Sequence, residues 1–125
     1  MSPLSEVAVD KSTFGIHGQL QGSELAVALR GHADTRHKQE LDRFLTVMSR
    51  EAQRLQVRRV RVDLSKVEFM NSSCIKGFVN WIGEIQELPP ERQYHIHFVS
   101  DPSAQWQRRT LQALMVFGGD LVELG

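Results

Sequence analysis

From Thr13 onward, apolar and polar positions alternate along the chain. Phe14, Ile16 and Leu20 fall on one face and Thr13, His17 and Gln19 on the other, which is the two-residue period of a strand. A turn at Gln21-Gly22 separates this strand from a second one carrying Leu25, Val27 and Leu29, so the pair reads as a hairpin. Asp34 or Thr35 then caps a helix, because Leu41, Phe44, Leu45, Met48, Ala52 and Leu55 recur at helical spacing with charges on the opposite side. Val60, Val62 and Leu64 alternate with Arg59, Arg61 and Asp63 in a third strand. A second helix is predicted from Asn71 or Ser72 to about Glu87. Its core stripe is Ile75, Phe78, Val79, Ile82 and Ile85, and Pro89-Pro90 stops it. Tyr94, Ile96 and Phe98 alternate with His95 and His97 in a fourth strand. Asp101-Pro102 reads as N-cap and first turn of a third helix packed by Leu111, Leu114 and Met115 and ended by Gly118-Gly119. Leu121 to Leu124 forms a short last strand.

The order is β-β-α-β-α-β-α with a short closing β. Every strand shows one polar face, whereas strands buried on both sides of a doubly wound sheet read as continuous apolar runs. The expected fold is therefore α/β, with a mixed sheet of four to five strands and helices mainly on one face. Residues 1–12 carry little pattern and are expected to form a partly mobile N-terminal segment, leaving residues 13–125 as one domain.

Composition removes several function classes. Fifteen basic residues balance fifteen acidic ones, so net charge gives no argument for nucleic acid or an anionic membrane. Arg54, Arg59, Arg61, Arg108 and Arg109 are scattered and read as solvated surface. No apolar run approaches the roughly 18 to 20 residues of a membrane helix, and MSPLSEVAVD lacks the charged and apolar regions of a signal peptide. A cytoplasmic protein is expected. The single cysteine, Cys74, excludes an intrachain disulfide and a multi-cysteine zinc site.

The segment Val62-Asp63-Leu64-Ser65-Lys66-Val67-Glu68-Phe69-Met70-Asn71-Ser72-Ser73-Cys74 resembles the signature of the STAS family, which includes the antagonists of anti-sigma factors. The family pattern is an apolar strand ending in Asp-Leu, a short loop with an aromatic or apolar pair, and Asp-Ser-Ser-Gly opening a helix. Leu29-Arg30-Gly31-His32-Ala33-Asp34 is similar to the family's second strand and its Gly-x-Leu-Asp turn. The resemblance implies a STAS-like fold and a non-enzymatic, partner-switching role in bacterial signal transduction and transcription regulation. It implies as partners a serine kinase or anti-sigma factor of the histidine-kinase ATPase fold and a cognate phosphatase. It also places the phosphorylated serine at Ser72 and the docking surface at Asn71, Ser72, Ser73, Cys74, Lys76, Gly77, Asn80 and Trp81. Asn71 and Cys74 stand where the pattern has Asp and Gly. These departures lend more weight than an intact motif would to the alternative of a constitutive accessory subunit docked on an ATPase, in a transporter or a signalling scaffold.

The residues themselves support a modifiable helix start. A serine there sits among unpaired backbone N–H groups at the positive end of the dipole, where a phosphate is accommodated locally. The same position makes Asn71 and Ser72 ordinary caps. Trp81 falls off the apolar stripe and, with Lys76, Gly77, Asn80 and Glu84, marks a helix edge that either meets a partner or packs on a neighbouring helix. Trp106 reads as packing at the edge of the core. Cys74, in a first helical turn, would be a nucleophile only beside a base or an arginine, and the residue six positions on is Asn80. His95 and His97 share one strand face, with His17 as a third candidate, and read as polar residues of an open sheet face or as two legs of a metal site. No catalytic residues, no cofactor and no metal are expected, since neither G-x-G-x-x-G, P-loop nor nucleophile elbow occurs.

Overall fold

The computed structural model describes residues 3–125. A short helix α1 (Pro3–Glu6) and a two-residue strand β1 (Val9–Asp10) precede the hairpin β2 (Phe14–Gln21) and β3 (Glu24–Ala33). Helix α2 (Lys38–Arg54), strand β4 (Arg59–Met70), helix α3 (Ser72–Gln86), strand β5 (His95–Val99), helix α4 (Gln105–Gly118) and strand β6 (Val122–Leu124) follow. The strands form one six-stranded sheet in chain order. β1, β2 and β3 are antiparallel, and β3, β4, β5 and β6 run parallel.

Alternation sets the layers. Leu25, Val27 and Leu29 of β3, Val60, Val62 and Leu64 of β4, and Ile96 and Phe98 of β5 are buried beneath the helices. The intervening residues His17, Gln19, Arg61, Asp63, His95 and His97 lie on the other face, where they are exposed or half-buried. Phe14, Phe44, Phe78, Phe98 and Tyr94 are fully buried, each worth about 1.5–3 kcal/mol of transfer free energy for an aromatic or large aliphatic side chain. Phe78 meets Phe98 edge-on, with ring centroids 6.0 Å apart.

Helices α2 and α3 and the start of β5 are locked together by a polar triad inside this core. Trp81 Nε1 donates to the Tyr94 hydroxyl over 2.8 Å, and that hydroxyl shares a second hydrogen bond with Ser49 Oγ over 3.1 Å. Ser49 comes from α2, Trp81 from α3 and Tyr94 from the entry to β5. Burial pushes the Tyr94 phenol above its usual range, so it stays neutral and available as both donor and acceptor.

The structure corrects several expectations. The sheet has six strands, not four to five, because Val9–Asp10 adds an edge strand too short for any period to register. Leu4 and Val7 are buried in the core, while residues 1 and 2 of the expected N-terminal segment lie outside the described residues. β4 continues through residues 66–70, read from sequence as loop, after register shifts against β3. Gln107 braces that irregularity: it is buried, and its Nε2 donates to the Leu64 and Val67 carbonyls over 2.8 Å each. Gln107 also accepts from Asp101 N, while the Asp101 carboxylate accepts from Ser103. Asp101 therefore closes a turn before the helix, and α4 starts at Gln105 after Ala104, not at Pro102. Leu20 is 51% and Met115 39% exposed, since β2 and α4 run past the edge of the core there.

Replacing Tyr94 by phenylalanine keeps the ring but orphans Trp81 Nε1–H and Ser49 Oγ in the interior. Tyr94→Phe is expected to lower unfolding free energy by about 2 kcal/mol in urea titration at unchanged m-value. A loss below about 0.5 kcal/mol would contradict the triad's role.

Candidate functional site

The β3–α2 and β4–α3 connections emerge side by side because β3 and β4 are parallel neighbours, with Ala33 opposite Met70 at the end of the ladder. Asn71 fastens the two. Its backbone N–H donates to the Ala33 carbonyl (2.9 Å), and its side-chain Nδ2 donates to Thr35 Oγ1 (3.0 Å). Its Oδ1 accepts from Cys74 N and from Ser73 Oγ, each at 3.0 Å. With φ −78° and ψ 167°, Asn71 is an extended N-cap that uses every polar group of its side chain. Ser73 is half-buried and committed to the cap.

Ser72, the first residue of α3, is exposed, and its hydroxyl makes no hydrogen bond among the described residues. Cys74 is fully buried, with its sulfur 3.6 Å from the Asp34 carbonyl, and burial pushes its thiol up. Desolvation thus outweighs the nearby Lys38, and the buried thiol sits as part of the packing.

The rim of the site is neutralised by pairs. The Arg36 guanidinium hydrogen-bonds Asp34 and holds its carboxyl below the usual range. Lys38 binds Asp42 over 2.6 Å one helical turn on. Gly77 lies against that pair: a Cβ there would stand 3.0 Å from Asp42 Oδ1, so glycine lets α2 and α3 approach closely. Gly77, Asn80 and Trp81 line a shallow groove between the two helices, with Asp42, Leu45, Thr46 and Glu84.

Of the eight residues expected to contact a partner, Ser72, Lys76 and Asn80 are exposed, and Asn71 and Ser73 are half-buried. Cys74, Gly77 and Trp81 are buried, and Gly77 and Trp81 meet solvent only along the groove between α2 and α3. The buried stripe of α3 is Cys74, Phe78, Trp81, Ile82 and Ile85, while Ile75 and Val79 are only partly covered. The helix is rotated toward α2 because Gly77 permits contact there and Trp81 finds its partner in Tyr94. Phe69, absent from the expected surface, is a large exposed side chain near the start of α3 in sequence. It is 48% exposed at the end of β4, opposite His32, whose Nε2 lies 2.8 Å from Glu68 Oε2. The signal was present as an aromatic residue two positions before the cap, in the family's apolar loop pair. His95 and His97 lie on the other sheet face, and among the described residues no group of three or more metal-ligating side chains occurs. Nor is any helix long and apolar enough to cross a membrane.

Asn71→Ala removes the cap and the tie to Thr35 together, and is expected to cost about 1–2 kcal/mol in chemical unfolding. Asn71→Asp retains both acceptor contacts at the positive helix end and should stay within about 0.5 kcal/mol of wild type. Equal losses for the two variants would contradict the capping geometry. The Cys74 thiol is expected to react with Ellman's reagent only at the rate of global unfolding, accelerating when urea opens the core. Immediate stoichiometric labelling of the native protein would overturn its burial.

The family model described as "Mlab, STAS domain" matches residues 16–114. No curated protein matches the chain. A solved anti-sigma factor antagonist from Mycobacterium paratuberculosis superposes with a TM-score of 0.66 at 16% identity, covering 92% of this chain and 90% of that one, which is a likeness of fold. With the helix-capping Asn71-Ser72-Ser73-Cys74 segment at the end of a parallel strand pair and the family model spanning most of the sequence, the chain belongs to the STAS domain family.

Proposed function

We propose that the protein is a non-enzymatic regulatory docking module, binding a protein partner over the start of α3. The surface comprises Phe69, Ser72, Lys76 and Asn80, backed by Asn71 and Ser73 and bordered by Thr35 and Arg36. The partner class suggested by the resemblance is a serine kinase or anti-sigma factor of the histidine-kinase ATPase fold, acting in the cytoplasm of a bacterium to control transcription.

The observation that carries the reading is the division of labour among adjacent residues. Asn71 and Ser73 spend their polar groups on the cap, while Ser72 presents an uncommitted hydroxyl to solvent. Phosphorylation there adds about −1.5 to −2 charge at a helix end that accommodates it. A docked partner would have to desolvate that charge. Docking is thereby switched without rearranging the fold, and a phosphatase resets it.

A second reading, constitutive docking on an ATPase of a transporter or scaffold, is favoured by Asn71 itself. Its amide donates to Thr35 and fixes the two loops to each other, a donor that the usual carboxylate lacks. A rigid surface of this kind serves permanent association.

The readings separate in one experiment, with the protein and the ATPase-fold kinase encoded nearest its gene. The switch predicts a single ATP-dependent phosphate on Ser72 by mass spectrometry, and at least about tenfold weaker binding for Ser72→Asp. Ser72→Ala should bind like wild type and remain bound in ATP. No phosphate on Ser72, with Ser72→Ala and wild type dissociating alike in ATP, sinks the switch. ATP-insensitive co-purification through Phe69 and Lys76 establishes the constitutive reading instead.

A further inference from the structure

At the end of the domain remote from α3's start, the turn after α2 and the 3₁₀ turn Pro90–Arg92 enclose a cleft of about 790 Å³. Its lining includes Arg54, Arg58, Arg92 and Glu91, three cations to one anion in a chain whose charges balance as a whole. Arg54 is occupied: its guanidinium makes two hydrogen bonds to the Glu51 carboxylate, at 2.9 and 2.7 Å. Arg58 and Arg92 are exposed and have no acidic partner among the described residues. They come from different segments, but the framework holding them is fixed. His95 N donates to the Arg58 carbonyl over 2.8 Å, and Arg92 N donates to the Pro89 carbonyl over 2.8 Å. Gln93 Nε2 is bonded to the Gln86 and Leu88 carbonyls, pinning the second segment to the end of α3.

The remaining lining suits a small organic ligand. Val57 and Pro90 supply apolar surface, and Gln53, Gln56 and Gln93 supply amides. Gln56 has φ +54°, in the left-handed position that closes α2, where Val57 N reaches back to the Ala52 carbonyl over 3.1 Å. Glycine adopts that conformation without strain, so the closing turn alone does not call for a glutamine side chain lining the cleft.

We propose that this cleft binds a small organic oxyanion, a molecule bearing a phosphate or carboxylate group clasped between Arg58 and Arg92. Guanidinium groups present paired N–H donors matched to either oxyanion, and the backbone that carries the two is held by hydrogen bonds on both sides of the cleft. β4 begins one residue after Arg58 and ends one residue before Asn71. A strand of that length spans on the order of 35–40 Å. Ligand binding is thus physically separate from docking at α3, and neither reading depends on the other.

Titration of ¹⁵N-labelled protein in 150 mM NaCl with inorganic pyrophosphate, and separately with citrate, tests the site. The expected result is saturable shifts confined to residues 52–58 and 90–93, with residues 69–80 unmoved. Arg58→Gln and Arg92→Gln should each weaken binding about tenfold or more, as loss of a charge-assisted fork implies, with Arg109→Gln unchanged. Saturation by pyrophosphate alone assigns a phosphate ligand, by citrate alone a carboxylate, and by both a general oxyanion site. Absence of saturable binding for both probes, or equal weakening by Arg109→Gln, would overturn the proposal.

Discussion

The parallel pairing of β3 with β4 is the constraint on which the remaining architecture hangs. Parallel neighbours need a crossover, and α2 supplies it, so the ends of both strands arrive at the same edge of the sheet. Their ladder is continued by the hydrogen bond from Asn71 N to the Ala33 carbonyl, and is then sealed by the Asn71 side chain. Two loops far apart in sequence thereby become one surface. α3 starts from that fixed point, and its direction is settled at the other end by Trp81, Tyr94 and Ser49.

Rigidity at both ends of α3 has a functional consequence. The groups that hold the helix are buried or half-buried, while those left over, Ser72, Lys76 and Asn80, face water, as does Phe69 at the end of β4. Because the helix start is already capped, adding charge at Ser72 changes what the surface offers to a partner, not how the surface is built. The arginine-lined cleft lies beyond the far end of β4, on a frame held by separate hydrogen bonds.

Much of this was legible in the sequence because burial on one face writes a period into each element. Leu25-Val27-Leu29, Val60-Val62-Leu64 and Ile96-Phe98 announced the central strands, and the Asn-Ser-Ser-Cys segment announced the start of α3. What stayed hidden has physical reasons. β1 is two residues long, shorter than any period. The register shifts in β4 break the phase of its alternation, so residues 66–70 read as loop and Phe69 looked incidental. Trp81 lay off the predicted stripe because α3 packs on both α2 and the sheet, a face wider than its five most apolar positions mark. Asp101 carries the signature of a helix cap, yet a buried glutamine six residues on takes its backbone N–H and moves the helix start.

The central claim is that the surface around Ser72, exposed on a fixed α3 and centred on Phe69, is where a protein partner docks. Hydrogen–deuterium exchange of the protein alone and saturated with its ATPase-fold partner tests that claim most directly. Protection gained at residues 32–36 and 69–80, with the open sheet face and residues 52–58 and 90–93 unchanged, is the predicted result. Protection at the open face around His17, Arg61 and His97, with residues 69–80 exchanging as in the free protein, would contradict the account.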